Sequence, residues 1–124
     1  MGTIHRVAAF SCAMLLAVTT LDSATGVKMN VSPTISRAPA VLKVRITLNP
    51  LPDDRTLYVV AESPTFYRAS EVQLEGEQSQ AVNMFEFRDL PPGMYHITGV
   101  VRGAHGPRAT VWGIAKVEPG FGSR

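Results

Sequence analysis

Two methionines and a histidine in the second half of the chain carry side chains that bind soft metal ions. Met94 and His96 are two residues apart, so in an extended strand they project from the same face. Met84 falls on the outward face of the strand predicted just before them. Thioether sulfur and imidazole nitrogen together select Cu(I). Met84, Met94 and His96 are therefore a candidate metal site, and the alternative is that they are ordinary surface or packing residues.

Phe66, Tyr67 and Arg68 follow one another directly and form a second candidate site. They come just after Pro64, where we expect a loop between two strands. Aromatic and arginine side chains are enriched at protein interfaces, and exposed aromatic rings can also stack on sugars. This segment is a candidate ligand-binding or partner-binding loop. Alternatively, one of the two rings covers the open end of a β-sandwich as a lid.

The sequence contains no pattern that predicts catalysis. The Gly-x-Ser-x-Gly turn of a serine nucleophile is absent. Asp53 and Asp54 are adjacent but lack the further acidic residues and the glycine of a calcium loop. We therefore expect no catalytic residue, no cofactor and no enzymatic activity.

The elements that must position these residues are strands, because apolar and polar residues alternate along most of the chain. Pro, Gly, Asn and Asp separate the alternating segments. Six segments show the pattern: 41–48, 55–63, 69–77, 81–88, 94–102 and 108–117. Six or seven strands at spacings near ten residues predict an all-β, mainly antiparallel sandwich.

The stretch LPPGMY, residues 90–95, predicts a sharp corner. Pro92 and Gly93 suit the two central positions of a type II turn. Tyr95 then enters the next strand on its inward face, and its buried hydroxyl needs a hydrogen-bond partner. We expect that partner to be backbone around 88–90, which is the arrangement of a tyrosine corner.

The longer segment FEFRDLPPGMYHITGVV, residues 85–101, resembles the signature of prealbumin-like and carboxypeptidase-regulatory-like β-sandwich domains, which are common in exported bacterial proteins. The resemblance implies a prealbumin-like or immunoglobulin-like sandwich that serves as an accessory or interaction module, without catalytic residues. Ile97 stands where antibody domains place a cysteine, so a true immunoglobulin domain is not expected.

The N-terminus has the layout of a secretory signal peptide. A positively charged MGTIHR precedes an apolar run of 15 residues, which is shorter than the roughly 20 that a helix needs to span a bilayer. We expect a signal-peptide helix over 1–26, an extended arm over 27–40, the sandwich over 41–118 and a tail over 119–124. The lone Cys12 leaves with the signal. An uncleaved N-terminal anchor is the alternative.

Charge excludes some partners. The formal net charge is +2, and the basic residues are scattered singly along the strands, so we expect no nucleic acid partner. No segment after the signal is long enough to span a membrane. The predicted function is an exported, periplasmic or extracellular, non-catalytic binding or accessory module. Its expected partner is another exported or cell-surface protein, and the alternative is a small ligand, either carbohydrate on the aromatic residues or Cu(I).

Overall fold

Alternation of apolar and polar residues gives the strands one buried face, and these faces pack together into two sheets. The computed structural model describes residues 25–121. The strands are β1 (Val27–Ser32), β2 (Ile35–Arg37), β3 (Ala40–Leu48), β4 (Asp54–Ser63), β5 (Phe66–Gln73), β6 (Val82–Leu90), β7 (Gly93–Gly103) and β8 (Gly106–Glu118). A short 3-10 turn spans Gly76–Gln78, and residues 25–121 contain no helix that is long and apolar enough to cross a membrane.

The strands form one three-stranded and one five-stranded sheet. The smaller sheet has the order β1-β3-β6 and is antiparallel, whereas the larger has the order β2-β8-β7-β4-β5. In the larger sheet the β2–β8 pair is parallel and the other pairs are antiparallel. Pro33, which cannot donate to a ladder, lies where the chain passes from one sheet to the other. The result is an immunoglobulin-like sandwich, which confirms the predicted all-β, mainly antiparallel fold.

The core lies between the two sheets and uses every second residue of the long strands. Its largest fully buried side chains include Leu42 and Ile46 of β3, Phe87 of β6, Leu57 of β4, and Tyr95 and Ile97 of β7. The sheets approach so closely at Gly99 that a Cβ there would lie 2.7 Å from the Ile46 Cδ1. A larger residue at this position would force the ends of the Ile46 and Met29 side chains to move.

The segment 27–40 is part of the sandwich, whereas the sequence predicted an extended arm. β1 pairs with β3 along its whole length, from Val27 opposite Leu48 to Ser32 opposite Lys43. Its local pattern is short and is followed by two prolines, so the strand is fixed by its partner more than by its own alternation. Most of the predicted signal peptide, residues 1–24, and the end of the predicted tail, residues 122–124, lie outside the described residues.

A buried ion pair closes one end of the sandwich. Asp54 is fully buried at the start of β4, and Arg108 of β8 donates Nε to its Oδ1 at 2.7 Å and Nη2 to its Oδ2 at 3.0 Å. The Leu51 amide donates to the same carboxylate at 2.9 Å. Arg108 also donates to the carbonyl oxygens of Thr25 and Asn49. Burial alone would raise the pKa of Asp54, but these bonds outweigh burial and hold the pKa below its ordinary value.

Candidate functional site

The predicted corner is tied down by the Tyr95 hydroxyl. Tyr95 is fully buried and donates its hydroxyl proton to the Pro91 carbonyl oxygen at 2.7 Å. This acceptor lies one residue beyond the stretch that the sequence indicated. The φ of Gly93 is 158°, far from the value near +80° of a type II turn, so the predicted turn type is wrong.

The surroundings of Tyr95 act on its ionisation. Burial raises the pKa of Tyr95, while the neighbouring Ser63 hydroxyl and the Arg68 guanidinium lower it part of the way. Ser63 Oγ is buried and makes no hydrogen bond of standard geometry, so the Tyr95 proton belongs to the Pro91 bond. Among residues 25–121, Ser63 Oγ has no hydrogen-bond partner, and the Tyr95–Pro91 bond is the one that fixes the corner.

The segment Phe66 to Arg68 begins β5 and is not a loop. Phe66 is half-buried and packs edge-on against Tyr95, with ring centroids 6.0 Å apart. Tyr67 points to the other side of the sheet, is 60% exposed, and its hydroxyl lies 3.2 Å from that of Tyr58. The Arg68 guanidinium lies over the Phe66 ring and donates to the Arg88 carbonyl oxygen at 2.9 Å. Phe66 therefore covers core residues as the predicted lid would. The side chains of Phe66, Tyr67 and Arg68 do not form one continuous binding surface.

The structure does not bring Met84, Met94 and His96 together. Met84 lies on the outer face of the three-stranded sheet, whereas Met94 and His96 lie on the outer face of the five-stranded sheet. The sequence suggested a shared face because β6 and β7 are consecutive. However, β6 pairs with β3, while β7 pairs with β4 and β8. The full thickness of the sandwich, with sheets about 10 Å apart, separates the proposed Cu(I) ligands.

A cluster of cations that the sequence did not predict lies on the outer face of the three-stranded sheet. Lys28 of β1 and Lys43 and Arg45 of β3 all project there and are exposed. The strand register places Ser32 opposite Lys43, and Asn30 opposite Arg45. We name this surface the basic face; its residues are Lys28, Asn30, Ser32, Lys43, Arg45 and Thr47.

Two neighbouring hollows indent the basic face and share Arg45. One, of about 200 Å³, is lined by Lys28, Met29, Asn30, Arg45 and Thr47. The other, of about 250 Å³, is lined by Asn30, Ser32, Lys43, Arg45 and Met84. Each hollow thus combines two cations with neutral amide or hydroxyl groups, which is a donor set for an oxyanion.

Strand pairing assembles this cluster. Lys43 and Arg45 share a face by simple alternation, which the sequence shows, but Lys28 lies 15 residues before Lys43. Only the antiparallel pairing of β1 with β3 brings it alongside. The one acid among the described residues of this face, Glu86 of β6, lies opposite Lys43 in the register and forms an ion pair with Arg88 at 2.8 Å. Lys28, Lys43, Arg45 and Arg88 therefore leave the face with a net positive charge. The expectation of singly scattered cations is wrong for this face.

The fold places the protein in the immunoglobulin-like class of β-sandwiches, and particular solved structures resemble it. No protein-family model and no curated protein matches the sequence. A superoxide reductase (neelaredoxin) from Ignicoccus hospitalis is 18% identical, over 74% of this chain and 80% of that one, with a TM-score of 0.55. A variant of that enzyme gives 17% over 82% and 86%, with a TM-score of 0.56. The CARDB domain of a Pyrococcus furiosus protein, solved in complex with di-metal ions, gives 16% over 75% and 91%, with a TM-score of 0.50.

These comparisons contradict the predicted function. A non-catalytic module for protein interaction, or for a small ligand such as carbohydrate or Cu(I), was expected, but similar structures include an enzyme, superoxide reductase. The expectation came from the LPPG corner, a motif that indicates the fold and gives no information about the function. At these identities the likeness establishes the fold alone. Superoxide reduction needs a redox-active group, and residues 25–121 contain no group of three His, Cys, Asp or Glu side chains placed to hold a metal.

Proposed function

We propose that the chain is an exported protein that attaches to an anionic membrane surface through its basic face. The observation that carries the proposal is the pair of hollows that share Arg45, each with a second cation beside it. Lipid phosphates are spaced side by side across a surface, and two adjacent cation-lined hollows on one sheet face can bond more than one of them. The proposal assigns no catalytic reaction to the chain.

Each hollow supplies the chemistry that a phosphate diester needs. The Arg45 guanidinium can donate two parallel N–H bonds to one phosphate, whereas Lys28 and Lys43 act as point charges. The Asn30 amide and the Thr47 hydroxyl lie beside Lys28 and Arg45. The Ser32 hydroxyl lies opposite Lys43, and all three groups can bond the remaining oxygens.

Exposed apolar side chains beside the cations favour a membrane over a soluble phosphate polymer. Met84 is 58% and Val82 46% exposed on the neighbouring strand β6, and both lie on the same face as Arg45 and Thr47, which they oppose in the register. Apolar side chains next to basic ones are typical of surfaces that rest on the lipid interface. Three cations at about 1 kcal/mol each would support weak, reversible attachment.

Two features of the sequence support export. Residues 1–26 have the charge and length of a signal peptide, and the segment 85–101 resembles prealbumin-like and carboxypeptidase-regulatory-like domains of exported bacterial proteins. The proposed location is periplasmic or extracellular. There, another exported or cell-surface protein stays a predicted partner beside the membrane itself.

Vesicle co-sedimentation tests the proposal. We expect the full chain to bind vesicles of phosphatidylcholine and phosphatidylglycerol, but not phosphatidylcholine alone, and to dissociate as salt is raised from 50 to about 300 mM. The triple variant Lys28→Gln, Lys43→Gln, Arg45→Gln should bind at least tenfold more weakly. The matched control removes three charges that belong neither to the basic face nor to β7 and β8, through Arg37→Gln, Arg55→Gln and Arg124→Gln, and should bind like the parent chain.

Two outcomes would overturn the proposal. Equal loss in the triple variant and in its control would show that net charge, and not the basic face, governs attachment. Binding of soluble polyphosphate without binding of anionic vesicles would assign the hollows to a polymer.

A further inference from the structure

The outer face of the five-stranded sheet exposes large apolar side chains that the core does not use. Four of them are far more exposed than core residues: Trp112 (72%), Ile35 (64%), Ile114 (56%) and Met94 (45%). They lie on three adjacent strands, β2, β8 and β7. Exposed apolar surface of this extent is typical of an interaction site.

Residues that are opposite one another in the register form a row across the sheet. Along one such row, the side chains on β8 project far from the sheet, which we call the raised side, and those on β4 and β5 project little, which we call the low side. The register aligns Trp112 of β8, Thr98 of β7, Val60 of β4 and Ala69 of β5. Val60 is only 8% exposed although it is not part of the core between the sheets, and Ala69 has a small side chain. An exposed indole thus stands two strands, about 10 Å, from the nearly buried Val60, and three strands, about 14 Å, from the short side chain of Ala69.

Charge divides the same face into opposite halves. Glu62 of β4 and Glu71 of β5 are exposed on the low side. Arg37 of β2, Arg102 of β7 and Lys116 of β8 are exposed on the raised side. Glu118 lies 3.8 Å from the Lys116 ammonium, so this half carries three cations and one acid and keeps a net positive charge. A partner that fits must therefore present a hollow and acidic groups opposite Trp112 and the cations.

We infer that this partner is a second copy of the chain, joined by a two-fold axis that runs parallel to the strands between β7 and β4. Such an axis places β8 of one copy over β5 of the other, so each Trp112 lies over the other copy's Ala69 and Val60. It also brings each acidic half against a basic half. A two-fold axis across the strands would instead place β8 on β8 and acid on acid, which is unfavourable.

The overlap about this axis gives an interface at the small end of the usual range. β8, β7, β4 and β5 overlap, whereas the three-residue β2 lies beyond the edge. Four strands about 4.8 Å apart, over the about 27 Å of the eight-residue β5, cover about 500 Å² in projection. Standard interfaces bury about 800 Å² on each partner and weaker ones less than about 600 Å², so a weak dimer is expected. The inference is independent of the basic face, which lies on the opposite side of the sandwich.

Sedimentation equilibrium of the full chain tests the dimer. Trp112→Lys should raise the dissociation constant at least about thirtyfold, as expected for a central aromatic anchor. Ala69→Arg should do the same, because it places a long side chain where the indole of the other copy would lie, and it leaves Trp112 unaltered. The matched controls Val82→Lys and Thr47→Arg alter the other sheet and should dimerise like the parent chain. A monomeric parent chain at 100 µM, or equal weakening by the controls, would overturn the inference.

Cysteine cross-linking tests the axis, in chains that also carry Cys12→Ser. Thr110 and Glu71 lie one row from Trp112 and Ala69 on the same strands, so they should face each other across the interface. A mixture of the Thr110→Cys and Glu71→Cys chains should form a disulfide-linked pair on mild oxidation. Strong self-linking of Thr110→Cys alone would contradict the proposed axis.

Discussion

Arg108 donates two hydrogen bonds to the buried carboxylate of Asp54, although the two residues are 54 positions apart in the sequence. The same guanidinium bonds the carbonyl oxygens of Thr25 and Asn49. One side chain of β8 therefore joins three other segments: the residues just before β1, the residue just after β3, and the start of β4.

Removing one partner of this pair should destabilise the protein strongly. We expect Arg108→Met to lower the free energy of unfolding by about 3–5 kcal/mol, because it leaves a buried carboxylate without compensation. Urea denaturation measures the change. Arg55→Met, which removes an exposed cation next to the same site, should cost less than about 0.5 kcal/mol; similar losses in both variants would contradict the role of the pair.

The same pair should make stability depend on acid pH. The folded pKa of Asp54 is lowered from its ordinary 3.8, so its contribution is fully present above about pH 4 and is lost as pH falls through the folded value. Unfolding midpoints between pH 2 and 6 should fall at the acid end. Asp54→Asn should be less stable at pH 6, and its stability should decrease less as the pH falls from 6 to 2. An equal decrease in the variant and in the parent chain would contradict the prediction.

The hydrogen bond from Tyr95 to Pro91 predicts that the protein loses stability when the hydroxyl oxygen of Tyr95 is removed. Tyr95→Phe should destabilise by about 1–3 kcal/mol, because the Pro91 carbonyl loses its donor in a buried site. Thermal and urea denaturation measure this. Tyr67→Phe removes an exposed hydroxyl and should have almost no effect, so an unchanged Tyr95→Phe protein would show that the bond does not hold the corner.

The two neighbouring aromatic residues should respond differently to truncation. Phe66→Ala should cost about 2 kcal/mol, since its ring packs on Tyr95 and carries Arg68. Tyr67→Ala should change the free energy of unfolding by less than about 0.5 kcal/mol. Equal effects would mean that the two rings do not lie on opposite faces of the sheet.

The strand faces could be predicted from the sequence because each depends on a local period of two. Phe85 and Phe87, or Tyr95 and Ile97, point inward as their alternation indicates. The pairing of strands could not be predicted, since it depends on contacts between distant segments. For that reason Met84 and Met94 were placed on one face, and Lys28 was not connected to Lys43 and Arg45. The ion pair of Asp54 and Arg108 could not be predicted for the same reason, because it joins two strands that are far apart in the sequence.

The two outer faces of the sandwich differ in chemistry and point in opposite directions. A dimer joined through the five-stranded sheets would stack four sheets, with about 30 Å between its outermost sheet planes. Both basic faces would then lie outermost, one at each end of the stack. Such a particle is a spacer: it could hold two anionic layers a fixed few nanometres apart, which a single copy with one basic face cannot do.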